Sequence, residues 1–284
     1  MDKALIAAVL WLVLGNNVAI LSDSLIKMLD SFDAPFQFVL LRQVSAVLIL
    51  LPLIKLRGES LAPKGLRWHA ARAHIWLFGT ALMVLSLTTL PLATANALFY
   101  AAPMLTVIIA RMAFKERVTW HSTVTVGLGM LGVLVIVNPT EFNPFAVAAL
   151  LVAGSLAVNN LLIKKLPREH GILQTLFLTN LLGLPVGIAM AIWEGAAFEW
   201  QRILFATGST LFIMIYAATC IYAYRAVDSA KVTSAEYTGL IGAVAIGMVF
   251  FAEQPGLNFY IGSAMIVAPL IWQSWALQKK PATS

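Results

Sequence analysis

A chain of 284 residues that is 60% hydrophobic and only 11% charged, with a mean hydropathy of +0.86, cannot coat a water-facing surface with charge. An ordinary soluble domain is therefore excluded, and a bilayer must be most of its solvent. The net charge of +6 comes from short basic clusters between apolar runs, which reads as membrane orientation and not as nucleic-acid binding.

Taken in order, ten apolar runs lie at approximately 4–29, 35–54, 73–90, 94–113, 119–138, 144–163, 171–193, 203–225, 231–251 and 258–277. Each is near the roughly 20 residues that a helix needs to cross a hydrocarbon core of about 30 Å. The first runs straight into polar Ser22 and Asp23 with no small-residue cleavage pattern, so no cleaved signal is expected. The fourth and fifth are joined by the charged turn Lys115-Glu116-Arg117. Most tryptophans (Trp68, Trp76, Trp120, Trp193, Trp200, Trp272 and Trp275) fall near run ends, where amphipathic rings favour the membrane interface. Trp11 is the exception, a third of the way along the first run.

The chain also repeats itself. A shift of 137 places Tyr100 on Tyr237, Ala93 on Ala230, Glu116 on Glu253, Leu25-Ile26-Lys27 on Leu162-Ile163-Lys164, and Gln37 on Gln174. Two five-span units are expected, residues 1–140 and 141–284. An odd number of spans per unit makes the second enter from the opposite face. The expected fold is thus an all-α membrane protein of ten transmembrane helices in two inverted repeats. With the N-terminus cytoplasmic, 16 of the 19 basic residues fall on one side, which predicts both termini in the cytoplasm of a bacterial inner (plasma) membrane.

Several motifs are weak. Gly127-Leu-Gly-Met-Leu-Gly132 matches a dinucleotide fingerprint by letters, but it lies mid-span with no preceding strand, so close helix packing is expected. His69, His74, His121 and His170 do not converge, and no metal or other cofactor is expected. The single Cys220 excludes an internal disulfide. No nucleophile elbow or Ser/His/Asp set is apparent, which argues against an enzyme.

The chain resembles the drug/metabolite transporter superfamily in its ten-helix EamA-type branch. The resemblance rests on the five-plus-five repeat, Pro103 in the fourth span, the Lys115-Glu116-Arg117 turn and the glycine-rich fifth span. It covers essentially the whole chain. The second copy departs from the pattern, with Leu240 where the proline would be and Glu253-Gln254-Pro255 at the turn. The resemblance implies a secondary transporter exporting small organic metabolites, amino acids and aromatic amino acids first among them. A carrier for another metabolite or a lipid-linked sugar is the alternative within transport. A membrane enzyme or an assembly subunit is the alternative of a different class. The expected partners are a small-molecule substrate and the lipid bilayer, with the protein a monomer or homodimer.

Polar residues inside a membrane are costly unless they face protein or water. Asn16, Asn17, Ser22 and Asp23 in the first span, Arg42 in the second and Thr80 in the third are of this kind, as are Asn96 and Tyr100 in the fourth. Asn159 and Asn160 follow in the sixth, Tyr216, Tyr222 and Tyr224 in the eighth, and Thr233, Ser234, Glu236 and Tyr237 in the ninth. Spans five and ten have almost none. A cavity lined by spans 1, 3, 4, 6, 8 and 9 is predicted. Its proposed substrate-binding residues are Tyr100, Tyr237, Asn17, Asn96, Asn160, Tyr224 and Trp11. The carboxylates Asp23 and Glu236 are the candidates for proton coupling, although Lys27 and Lys231 offer each of them a simple ion pair. Tyr100 and Tyr237 would each lie roughly 9 Å deep from opposite faces. That leaves roughly 12 Å between them for one small metabolite. Packing between helices is the alternative role for both.

Overall fold

A backbone in lipid satisfies its N–H and C=O groups by forming helices, and the described membrane segments are helical. No strand occurs among the described residues. The computed structural model describes residues 3–29, 34–59, 64–114, 120–137, 143–227, 232, 235–236 and 238–278. In the first half, α1 (Lys3–Lys27), α2 (Pro35–Arg57) and α3 (Leu66–Thr89) are followed by α4 (Leu92–Phe99), α5 (Ala102–Phe114) and α6 (Trp120–Val137). The second half contains α7 (Pro144–Leu162), a 3₁₀ turn (Ile163–Lys165), α8 (Ile172–Glu194), α9 (Trp200–Ala226), α10 (Thr238–Phe251) and α11 (Leu257–Gln278). Among the described residues, seven helical segments are long and apolar enough to span a bilayer, α4 and α5 counting together as Leu92–Ala113, and the apolar parts of α6, α10 and α11 are shorter.

The helices pack across the two halves. α1 lies most extensively on α9 and α3 on α7, while α2 meets α8 and α6 meets α11. Exchanging the halves converts the first pairing into the second and leaves the other two unchanged. The repeats are also inverted. Lys27 at the end of α1 donates to the Leu90 carbonyl at 2.5 Å, and nearby Ser86 donates to the carbonyl of Phe145 at the start of α7. α1 therefore ends where α7 begins, an end we call distal.

Small residues allow these crossings. Gly15 lies against Thr219, and Gly79 against Ser155, in the two exchange-related pairs. Between α6 and α11 the contact is reciprocal: a Cβ on Gly132 would stand 2.6 Å from the Gly262 carbonyl, and one on Gly262 would stand 2.5 Å from that of Gly132. Gly129 faces Met104. Within the sequence run Gly127 to Gly132, Gly129 and Gly132 thus serve helix packing, while Gly127 faces open space.

Three sequence expectations are corrected. The third span starts at Leu66 and not near residue 73, which brings Arg72 inside the bundle instead of into a basic loop. Its early turns gain a partner in the segment before α8: His69 stacks on His170, with ring centroids 5.2 Å apart and 3.1 Å between Nε2 and Nδ1, so two of the four histidines expected not to converge do meet. Hydropathy undervalues those turns because Arg67, His69, Arg72 and His74 are polar. The fourth span is broken instead of continuous, as described below. Trp76, expected at the interface, sits between helices and lines two cavities. Trp120, Trp193, Trp200 and Trp272 are exposed, as interfacial anchors would be. The Lys115-Glu116-Arg117 turn, Lys231, Thr233, Ser234 and Tyr237 lie outside the described residues.

The opposite, proximal end is tied across the halves by Lys64 and Glu169 at 3.1 Å, and within the second half Arg225 donates to the His170 carbonyl at 2.6 Å. Burial above all pushes the His170 imidazole below its ordinary range; Glu169 opposes this, and the charges of Arg225 and Lys64 add to it.

Candidate substrate site

The site begins at the break in the fourth span. Pro103 has no N–H to offer the carbonyl one turn earlier. The chain turns instead at Tyr100 and Ala101, whose amides bond to the carbonyls of Asn96 and Leu98, both at 3.0 Å. α5 then resumes at Ala102. Broken spans are tolerated where they are buried in protein or line a cavity, and in carriers they mark the substrate site. Tyr100 stands at this break, with its hydroxyl packed on Gly239 at the start of α10.

Beside Tyr100 lies a chamber with an empty volume of about 480 Å³. Its walls come from spans 1, 3, 4, 6, 8 and 9, the six named from the sequence. Asp23 enters it from α1 and Glu236 from the segment before α10, so each half contributes one carboxylate. Both are almost wholly buried. The Asn96 amide bonds to the Leu92 carbonyl at 3.2 Å and also to the Asp23 side chain. Glu236 accepts from the Tyr224 hydroxyl at 2.5 Å. Phe99, Tyr100, Trp76 and Tyr216 supply aromatic walls.

Tyr100, Asn96, Asp23 and Glu236 are thus brought together, with Tyr224 one step behind as the partner of Glu236. Lys27 is not the partner of Asp23. It turns to Glu253 at 3.5 Å and to the Leu90 carbonyl. Three other candidates lie elsewhere. Asn17 faces the seam with α10, where its amide bonds to Val13 and reaches Thr238 at 3.5 Å, while its neighbour Asn16 lines the chamber. Asn160 is buried but lines neither cavity, and its Nδ2 has no partner among the described residues. Trp11 is 48% exposed on the outer surface of α1.

A second cavity, of about 530 Å³, lies between α2, α3, α8 and α9 and shares Trp76 and Ile213 with the first. Arg42, Gln43, Arg72, Thr179 and Asn180 give it a cationic and polar lining. Sequence reading missed it. Arg42 was an isolated polar residue in its span, and Arg72 was counted with a loop.

The chemistry is that of binding. No group of three or more His, Cys, Asp or Glu able to hold a metal occurs among the described residues. Cys220 is buried beside Tyr216. Over 285 residues the chain is 24% identical to an S-adenosylmethionine uptake transporter of Rickettsia prowazekii (strain Madrid E), covering 98% of this chain and 95% of the relative. It is 25% identical over 240 residues to a riboflavin transporter of Brucella anthropi, covering 81% of this chain and 84% of that one. It is 22% identical over 276 residues to the pseudopaline exporter CntI of Pseudomonas aeruginosa (strain UCBPP-PA14), covering 93% and 95% of the two. A solved crystal structure shares the fold at a TM-score of 0.70 and 16% identity, over 98% of this chain and 99% of that one. The profile of the EamA-like transporter family matches twice, at residues 6–138 and 144–274, once per inverted repeat, and the chain belongs to that family, within the drug/metabolite transporter superfamily.

Proposed function

We propose that this multi-pass membrane protein is a secondary carrier for small organic metabolites bearing an amine, amino acids first among them, which it moves by alternating access through the chamber at Asp23, Tyr100 and Glu236. The observation that carries this reading is the meeting of two buried carboxylates, one from each half, in an aromatic-walled space at a helix break. Carboxylates in a low-dielectric cavity favour an ammonium or another cation, and aromatic faces add to that attraction while accepting an apolar side chain. S-Adenosylmethionine, the substrate in the name of one relative, combines an α-amino acid with a sulfonium and an aromatic base, so its chemistry suits such a site. Tyr237 belongs to the proposal on its sequence relation to Tyr100 alone.

A carrier of this kind is reversible, so the direction of net flux follows the gradients across the membrane. Export under accumulation of substrate in the cytoplasm is the proposed direction. It is set in the bacterial inner membrane with both termini cytoplasmic, on the strength of the 16 basic residues that the sequence puts on one side. In a Cys220→Ala background, cysteines at Gly58 and at Asn143 are expected to react with an impermeant thiol reagent from opposite faces of the membrane. Labelling from the same face would contradict the orientation.

The function itself is tested by counterflow in proteoliposomes. Internal L-amino acids in one preparation, and S-adenosylmethionine in another, are each expected to accelerate uptake of the same labelled compound about tenfold over protein-free vesicles for at least one of them. No movement of any amine-bearing compound would sink the reading.

A further inference from the structure

We infer that the cavity between α2, α3, α8 and α9 is an anion subsite, which takes a carboxylate or phosphate group of the same substrate whose cationic group the acidic chamber holds. This rests on the carrier reading above and narrows its substrate to compounds bearing both charges.

Arg42 and Arg72 are 5% and 6% exposed, and Gln43 is 2% exposed. Among the described residues, Nη1 and Nη2 of Arg42, Nε of Arg72 and both amide atoms of Gln43 have no hydrogen-bond partner. The one bond made by the Arg72 guanidinium is a long one, 3.4 Å to the Thr179 hydroxyl. Neither arginine forms an ion pair among the described residues. Burying an unpaired guanidinium is expensive. A planar fork of unpartnered N–H donors beside a cavity is suited to hold a carboxylate or phosphate with two parallel bonds.

The fold does not require these charges. The exchange of halves that relates α2 to α8 and α3 to α9 puts Thr179 at the position of Arg42 and Ser209 at that of Arg72, by the same shift of 137 residues. The second half thus builds the equivalent frame with hydroxyls. α8 also makes room for the Gln43 amide, which rests against Gly183 and Gly187.

The two cavities adjoin in a way that fits a zwitterion. They share Trp76 and Ile213. Asp23 in one and Arg42 in the other interact electrostatically without forming an ion pair. An amine at Asp23 and an anionic group at Arg42, with the substrate body beside Trp76, would complete both.

The test is thermal unfolding of the purified carrier with benzoate and phenyl phosphate as anion probes and benzamide as the uncharged control. At least one anion should raise the midpoint of the wild type, and benzamide should not; which anion does so separates carboxylate from phosphate. Arg42→Met should weaken the apparent affinity for that anion by about tenfold or more, the loss expected for a charge-assisted pair. It should also raise the midpoint of the ligand-free protein, because a buried charge without a partner has been removed. A guanidinium with a purely structural role would give the opposite sign. Arg72→Met repeats the test should Arg42→Met fail to fold. An unmoved wild-type midpoint with both anions, or an unchanged anion response in the folded variant, overturns the subsite. Anion binding that depends on Arg42, without movement of any amine in proteoliposomes, leaves the subsite standing and removes the carrier reading on which its substrate class rests.

Discussion

Asp23→Asn is expected to lose transport of amine-bearing substrates by roughly 10- to 100-fold while the carrier still inserts and folds. The size follows from losing a charge-assisted hydrogen bond to the substrate cation, worth about 1.5–3 kcal/mol in a buried site. Insertion should survive because Asp23 forms no ion pair among the described residues and Asn is nearly isosteric. The neighbouring bond between Ser22 and Ser209, 2.7 Å long, does not depend on the carboxylate. Glu236→Gln should lose as much, since it enters the same chamber from the other half. Tyr224→Phe should cost less, because the hydroxyl acts on the substrate only by holding Glu236. The measurement is counterflow in proteoliposomes at matched protein incorporation, with the pH gradient varied. A carboxylate that alternately holds a substrate cation and a proton gives up both roles when neutralised, so the variant with residual activity should no longer respond to that gradient. Wild-type rates in both Asp23→Asn and Glu236→Gln would move the cation site elsewhere, with Asn16 and Asn160 next to be tested.

Span number, inversion and the six cavity-lining spans were legible because each leaves a trace in composition. Lipid demands long apolar runs, an odd count per repeat inverts the second copy, and polar residues survive inside spans only where they face protein or water. Tyr100, Asn96, Asp23 and Glu236 could be named on that basis. Side-chain direction could not. Asn16 and Asn17 are adjacent and identical, yet one lines the chamber and the other faces the α10 seam, a difference set by helix rotation. The cationic cavity was hidden for a related reason. Its residues are scattered over four helices, one polar position at a time, and Arg72 lies in early turns of α3 that hydropathy assigns to a loop. Lys27 and Asp23, four residues apart on one helix, suggested an ion pair, but the Lys27 side chain is long enough to reach the Leu90 carbonyl and Glu253 beyond the helix end.

The Glu253 contact leads to the second large effect: Glu253→Gln is expected to open the distal end of the carrier. One Glu253 oxygen accepts from the Leu92 amide at 2.7 Å and the other lies 3.4 Å from the Ala93 amide, so the carboxylate caps the first turn of α4 from the opposite half of the molecule. Lys27 at the end of α1 pairs with the same side chain at 3.5 Å. Glu194 does the same for α2, accepting from the Phe36 and Gln37 amides at 3.0 and 2.7 Å. The chain accepts a cost to place Glu253 there: Ala252, which precedes it, has φ of +51°, a left-handed conformation that costs a residue with a Cβ on the order of 1 kcal/mol. Gln keeps one acceptor but turns an N–H₂ toward amide donors and an ammonium. Losing the cap costs about 0.5–2 kcal/mol, and loosening the part-buried Lys27, which keeps the Leu90 carbonyl, costs less than the roughly 3–5 kcal/mol of a fully buried unpaired charge. Such energies are comparable to the few kcal/mol that separate two states of a carrier, so the balance should shift toward the state in which α1, α4 and the α10–α11 connection part. In a Cys220→Ala background, a cysteine replacing Ala19 on the cavity wall should then react faster with an impermeant thiol reagent added from the distal side. Lys27→Met should give the same change, and the double variant no more than either alone, because both remove one interaction. Unchanged reactivity with a lowered unfolding midpoint would mean that Glu253 caps a helix and closes nothing.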